Sequence, residues 1–185
     1  MMTEATTIPG WVAGTWVIDP IHSELGFSVR HLMLSKVRGR FEKFEGEIVT
    51  SDDILDTRAT VTVDLTSINT SNEDRDNDLR SANYLEVDKY PTLTYRSTGL
   101  KPDGDAYVAD GELTIRETTH PLQLRVEFHG VQTDPWGGTR GGLSATGELN
   151  RKDFGISFDM PMDGGGLVVG EKIQLHLEIE AVLQQ

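Results

Sequence analysis

The sequence predicts an all-β protein built from about eight antiparallel strands, and three observations lead there. Apolar and polar residues alternate with period two in run after run, which is the pattern of strands with one dry face. Turn-forming clusters separate these runs: Asp52-Asp53, Pro102-Asp103-Gly104-Asp105, His120-Pro121, Asp134-Pro135-Trp136-Gly137-Gly138 and Asp163-Gly164-Gly165-Gly166. No strand–helix–strand rhythm occurs, so the sheet is antiparallel with one side packed.

The elements follow in order. A short run covers Thr15 to Asp19. Leu25, Phe27, Val29 and His31 share the inward face of the next strand, opposite Gly26, Ser28 and Arg30. Val37, Gly39 and Phe41 continue the apolar side. The phase then slips at Glu42-Lys43 before Phe44, Gly46 and Ile48, as a β-bulge would produce. Ala59, Val61, Val63 and Leu65 form one inward set, and Leu93 and Tyr95 another. Tyr107 to Ile115, Leu122 to Phe128, Leu143 to Leu149 and Ile173 to Ala181 complete the alternating runs.

Residues 66–92 break the pattern, being too polar and too long for a hairpin. Ser71 followed by Asp74 resembles a capping box, which predicts a short helix over about 72–80 inside an insertion at about 71–90. Tyr84, Leu85 and Val87 supply its apolar contacts. His31-Leu32-Met33-Leu34 is a second irregular piece.

Eight one-sided strands can pair as a sandwich or close as a barrel, and an eight-stranded barrel is either filled or holds one small ligand. Small inward residues such as Gly39, Gly46, Ala109, Gly111 and Gly147 suggest an interior that is not filled. The competing reading is that these glycines ease bends in a packed sheet.

Composition narrows the function. The 185 residues suit one domain, with residues 1–14 as an N-terminal extension and 15–185 as the folded unit. A net charge of −13 argues against nucleic acid as a partner and against charge-driven docking on an anionic membrane. The absence of cysteine removes thiolate chemistry. The opening residues lack the basic and apolar regions of a signal peptide, and no apolar run reaches about 18 residues, so the expectation is a cytoplasmic chain without a membrane-spanning segment.

The candidate chemistry is sparse. None of the five histidines lies in an H-x-H or H-x-x-x-H pair, so no metal site is predicted. No G-x-S-x-G nucleophile motif is present. Asp153 and Asp159 could be drawn as a carboxylate pair, in a chain rich in acids. WGGTRGG and DGGGL join strand to strand and read as hairpin turns rather than phosphate loops. Arg75 with Asp76, and Arg151 with Asp153, read as structural ion pairs, although Arg75 also lies where it could cover a ligand's head group. His31 is either a polar handle at the end of an apolar face or a hydrogen-bonded core histidine. His22 reads as a structural group whose imidazole hydrogen-bonds backbone, and Asp19 as a turn or network acceptor.

Several motifs carry a family resemblance. Trp16, Asp19-His22-Ser23, Phe27-Val29-His31 and Gly39-Phe41-Phe44-Gly46 come first. The segment SINTSNEDRDNDLRSANYLEVDKYPTLTYRST, then GELTIRETTHPL, ELNRKDFGIS and IQLHLEIEAVL, follow in order. Over roughly residues 15–183 the chain resembles the YceI-like family, also called polyisoprenoid-binding proteins. It departs from the family pattern at Asp78, where a histidine is usual, at Tyr84-Leu85 and at Glu117.

The resemblance implies an extended eight-stranded lipocalin-like β-barrel with a short helical insertion, often homodimeric. The interior would hold a lipophilic small molecule, a polyprenyl lipid or fatty-acid-like amphiphile, with no other cofactor. Phe27, Val29, His31, Phe41, Phe44, Val61, Val63, Tyr95, Leu113, Leu124, Val126, Leu175 and Leu177 are the expected ligand-binding residues. The expected function is noncatalytic binding, sequestration or transport. The alternative is an isomerase or cyclase acting on a lipophilic substrate, with His31 as acid or base.

Overall fold

The structure is a computed structural model and describes residues 8–160 and 168–185. Eleven strands are present: β1 (Gly14–Ile18), β2 (Glu24–His31), β3 (Ser35–Phe41), β4 (Phe44–Thr50), β5 (Arg58–Asp64), β6 (Ile68–Asn69), β7 (Thr92–Asp103), β8 (Ala106–Ile115), β9 (Thr118–Thr133), β10 (Thr139–Asn150) and β11 (Val169–Leu183). One helix, α1 (Glu73–Arg80), lies in the insertion.

The ring runs β1-β4-β5-β7-β8-β9-β10-β11 and closes where β1 pairs with β11, giving an eight-stranded antiparallel barrel. β2 and β3 extend this wall. β1 pairs with the last residues of β11 (Trp16 opposite Leu183), while β2 pairs with its earlier part (Leu25 opposite Leu177). Two short strands therefore occupy one barrel position, and β4 and β3 divide the next in the same way. The phase slip at Glu42-Lys43 is thus a strand break and not a bulge. Register shifts fall instead at Ser97/Gly99, Gly142/Leu143 and Val169/Ile173. The expected turn at Asp163-Gly164-Gly165-Gly166 lies outside the described residues.

The helix is where the sequence placed it, with a different cap. Asn72 is the cap residue, its side chain accepting from the Arg75 backbone N–H at 2.9 Å, while Ser71 adopts φ +65°. Asn and Ser are comparable caps, and the Asx geometry wins once Ser71 is turned away.

The two ends of the barrel differ. At the end holding Gly14, Leu183 and the β9–β10 turn, the segment before β1 folds over the opening. Trp11 meets the Phe128 ring edge-on at 5.5 Å and donates Nε1–H to the Ser51 carbonyl at 2.8 Å. Ile8 packs on the same apolar cluster, and Trp16 is tied to Thr50 Oγ1 at 2.9 Å. The extension is therefore part of the barrel's closure from residue 8 onward. At the other end lie the β2–β3 turn, α1 and the segment after β10.

The inward glycines do not mark empty space. A Cβ at Gly39 would overlap the Phe27 ring, and one at Gly111 the Tyr95 ring. Each is a niche that an aromatic side chain on the neighbouring strand fills, which is why a larger residue is excluded there.

Candidate functional site: an apolar cavity in the barrel

The barrel interior is hollow all the same. Inward side chains gather into two clusters, one around Leu113, Leu124, Val126 and Leu149, the other around Trp16, Ile18, Leu25 and Ile179. Between them Val29, Val61, Tyr95, Leu175 and Leu177 point inward but stay half-exposed. They line a cavity of about 570 Å³. That volume lies within the range of ligand pockets, roughly 300–1,000 Å³.

The residues proposed from sequence fall on this wall from several directions. Phe27, Val29 and Phe41 reach it from β2 and β3, and Val61, Val63 and Tyr95 from β5 and β7. Leu113, Leu124, Val126, Leu175 and Leu177 line the opposite side, and His31 lies at one end. Phe44 is the exception: it sits after the strand break and packs on the cluster around Trp16 and Ile18, away from the cavity surface. The phase slip at Glu42-Lys43 is expected as a bulge; Ile48, in phase with Phe44, does reach the cavity.

The polar lining is concentrated at one end. Arg30, His31, Thr70, Asp74, Arg75, Asp78 and Arg151 lie where β2 and β3 turn and α1 crosses. Arg30, Asp74, Asp78 and Met160 both line the cavity and are exposed, so this end is the mouth. Deeper in, Thr57 and Ser97 are buried and engaged: the Thr57 hydroxyl donates to the Ile54 carbonyl at 2.7 Å, and Ser97 Oγ accepts from Ala59 N–H at 3.0 Å. Tyr95 donates to the Leu122 carbonyl at 3.3 Å, and burial pushes its phenol up to about 12. It is therefore a neutral group at ordinary pH.

The mouth is held by two arginines. The Arg75 guanidinium donates to the Thr70 hydroxyl at 2.8 Å and the Thr70 carbonyl at 2.6 Å, while Asp76 accepts from the Thr70 N–H at 2.9 Å. Arg75 and Asp76 thus share Thr70 as a partner rather than forming the expected ion pair. Arg151 is only 2% exposed and donates to the carbonyls of Ile156, Phe158, Val169 and Gly170. Its carboxylate is Asp159 at 2.8 Å, not Asp153 as expected; Asp153 lies 3.9 Å from His120. Asp159 is shared with Lys152 at 2.6 Å, and these two cations hold its carboxyl below the usual range. Asp153 and Asp159 therefore do not act as a pair.

Asp19, His22 and Ser23 form a separate cluster on the outer wall, where β1 gives way to β2. Asp19 accepts from His22 Nδ1 at 2.8 Å, from the Ile21 N–H at 2.9 Å and from Arg140 at 2.8 Å. The His22 hydrogen bond, then Arg140, holds this carboxyl down at about 2. Ser23 Oγ accepts from the Glu180 N–H at 3.0 Å. The partner of His22 is thus a carboxylate and not backbone. Asp19, His22 and Glu180 have the spacing of metal ligands. Yet Arg140 already contacts the same Asp19 and Glu180 oxygens at 2.8 and 2.9 Å, and an arginine stays charged at any working pH. The cluster works as an ionic clamp that seats the β1–β2 junction on β11.

The sequence marks the insertion as a cap and Arg75 as a possible head-group contact, but not which of its other residues reach the cavity. Thr70, Asp74, Asp78, Leu79, Tyr84 and Leu85 all face the cavity. Only Leu79 on α1 is apolar, so no periodic signal announced it. The available clue was the length of a polar segment inside an otherwise regular meander.

With this geometry in hand, the relationships of the chain can be stated. The sequence profile described as YceI-like domain matches residues 16–181. The chain belongs to the YceI-like family. It is 34% identical over 177 residues to Protein YceI of Shigella flexneri, covering 94% of this chain and 90% of that one. It is 34% identical over 170 residues to a UPF0312 protein of Staphylococcus aureus, covering 89% and 95%. Among solved structures, the Campylobacter jejuni YCEI protein superimposes with a TM-score of 0.72 at 27% identity, covering 84% and 90%. A polyisoprenoid binding domain from Saccharophagus degradans superimposes with a TM-score of 0.68 at 14% identity, covering 94% and 100%, a likeness of fold. No helix among the described residues is long and apolar enough to cross a membrane.

Proposed function

We propose that this protein is a noncatalytic carrier that holds a long-chain lipophile, a polyprenyl or fatty-acyl amphiphile, with its tail in the barrel and its head at the mouth. The observation that carries this reading is the polarity gradient of the cavity: a mostly aliphatic and aromatic shaft, with charged side chains at one end. A methylene moved from water into such a lining gains about 0.8 kcal/mol, so about twenty carbons gain roughly 16 kcal/mol before ordering costs. The engaged hydroxyls of Thr57, Ser97 and Tyr95 leave the shaft without free polar handles. Tail length and shape, rather than directed hydrogen bonds, would then set selection there. The family's association with polyisoprenoids supports the same ligand class.

Native mass spectrometry of freshly purified protein, followed by organic extraction, tests this directly. The expected result is a stoichiometric lipophile released on extraction, and the same spectrum gives the stoichiometry of any homodimer. A clean apo mass with no uptake of added prenyl lipids or fatty acids would overturn the carrier reading.

A further inference from the structure

The β2–β3 hairpin differs from the rest of the surface in charge, polarity and position. The chain carries 30 acidic against 17 basic side chains. On this hairpin the balance reverses. Lys36, Arg38 and Arg40 alternate along the exposed face of β3, and Arg30 stands directly opposite Lys36 on β2. Like charges in a facing pair destabilise a sheet. Among the described residues Arg40 has a carboxylate partner, Glu42 at 3.4 Å, while Arg30, Lys36 and Arg38 have none.

The hairpin tip breaks a second local rule. His31 pairs with Ser35 across a three-residue loop in which Leu32 and Met33 adopt φ of +54° and +60°. Positive φ favours Gly or Asn, because side chains with a Cβ resist it. Here the loop is built from apolar residues that face water: Leu34 is 85% exposed and Met33 52%. Local violations of this kind are expected where a surface has work to do.

Position supplies the third observation. Arg30 and His31 line the cavity mouth. The Leu32 N–H donates to the Val168 carbonyl at 2.8 Å, and the Val168 N–H to the Met160 carbonyl at 2.9 Å. Val168 and Met160 line the cavity too, and Met160 is 55% exposed. The apolar tip, Met160 and the mouth are therefore one continuous edge.

We propose that the β2–β3 hairpin docks the barrel mouth on an anionic lipid surface, with Met33 and Leu34 entering the interface and Arg30, Lys36 and Arg38 facing lipid phosphates. An apolar tip flanked by basic residues is the grammar of interfacial anchoring. A convex tip offers a protein partner little area, whereas a bilayer receives it without a groove. The overall negative charge does not forbid the contact. Charges beyond a Debye length of about 8–10 Å are screened at physiological salt, whereas the hairpin cations act at contact range. The acids of α1, Asp74 and Asp78, rim the mouth beside it and resist the same surface, so the barrel approaches hairpin first. The proposal rests on the carrier reading for its purpose, since a lipophile must leave and enter a membrane, but not for its measurement.

The test is vesicle flotation with phosphatidylcholine alone and with added phosphatidylglycerol. Binding is expected only with the anionic lipid, and is expected to fall at high salt. Arg30→Gln/Lys36→Gln/Arg38→Gln and, separately, Met33→Ser/Leu34→Ser are each expected to lower the partition coefficient about tenfold or more. Trp136, 85% exposed at the opposite end of the barrel, provides the control: Trp136→Ser leaves flotation unchanged. Leu32→Asn/Met33→Gly separates docking from folding, because relieving the turn raises the melting temperature while vesicle binding falls. No flotation with anionic vesicles overturns the proposal. So does flotation indifferent to the hairpin variants, or equally sensitive to Trp136→Ser. Uptake of a lipophile delivered from cyclodextrin reads the carrier function separately, and Met33→Ser/Leu34→Ser, whose side chains lie outside the cavity lining, is expected to keep it.

Discussion

The two ends of the barrel solve the same problem by opposite means. Both must finish eight strands without leaving polar backbone unpaired. The closed end uses aromatic mass over the opening, Trp11 laid on Phe128 and Trp16 tied to Thr50, with the Arg140–Asp134 pair bracing the β9–β10 turn beside it. The mouth uses charge. Arg151 stands almost fully buried among four backbone carbonyls, Arg75 grips Thr70, and α1 presents acids at the rim. A wall of indole closes an opening permanently, whereas a frame of hydrogen bonds around a cation can hold irregular backbone open. Under the carrier reading, the mouth is then the end through which a ligand would pass.

The largest expected effect tests that frame. Arg151→Met leaves the carbonyls of Ile156, Phe158, Val169 and Gly170 without their donor, and Asp159 with only Lys152. Breaking a buried charge network in this way costs about 3–5 kcal/mol. Denaturant unfolding reads it, and a loss under about 1 kcal/mol would mean that the guanidinium does not hold the mouth. Arg151→Lys is expected to recover little, because one ammonium cannot serve so many acceptors.

Trp11→Ala probes the other end. Trp11 is half-buried, so its removal costs less than full burial of an indole would, about 2–3 kcal/mol. The sharper expectation is kinetic. With the closed end unplugged, a bound lipophile exchanges faster, whereas in the parent protein only mouth variants change exchange. Equal exchange rates for Trp11→Ala and the parent would show that the plug is not a barrier.

The same contrast explains what the sequence made legible. Regular walls announce themselves: the alternation of Val61, Val63, Leu113, Leu124, Val126, Leu175 and Leu177 identified strands, inward faces and cavity lining together. That logic did not reach Phe44: the phase is right, since Ile48 on the same face lines the cavity, but at the start of β4 Phe44 packs on the cluster around Trp16 and Ile18 instead. It also left open whether Gly39 and Gly111 mark space, since pattern alone cannot show which side chain across the pair fills a niche. The mouth was least legible. Thr70, Asp74 and Asp78 reach the cavity through tertiary placement of a polar helix, and Arg151 found Asp159 rather than the nearer Asp153 because the chain after β10 folds back on itself.

Val126→Trp sharpens the claim that the shaft is space for a tail. Val126 is buried in the cluster around Leu113 and Leu124 and also lines the cavity from β9, so an indole there takes space from the hollow as well as from its neighbours. The cost in stability is about 1–3 kcal/mol at most. Lipophile uptake is expected to fall by far more than stability alone explains. Undiminished uptake by a folded variant would move the ligand elsewhere. His31→Gln is expected to shift affinity modestly and leave capacity unchanged.

The smallest effect belongs to the outer clamp, and its sign follows from the charges around Asp19. His22 and Arg140 hold this carboxyl at about 2, below its unfolded value near 4. The folded state therefore binds the proton less readily than the unfolded state. The contribution to stability is complete above about pH 4 and disappears as pH falls through about 2. Its size is at most about 2 kcal/mol, reduced further by solvent around His22, which is 60% exposed. Asp19→Asn lacks this contribution at every pH. The gap between parent and variant in unfolding free energy should then be widest near neutrality and shrink toward pH 2. A gap that stays constant across that range would show that Asp19 acts through the geometry of the β1–β2 junction and not through its charge. The clamp would then resemble the indole plug at the closed end more than the charged frame at the mouth.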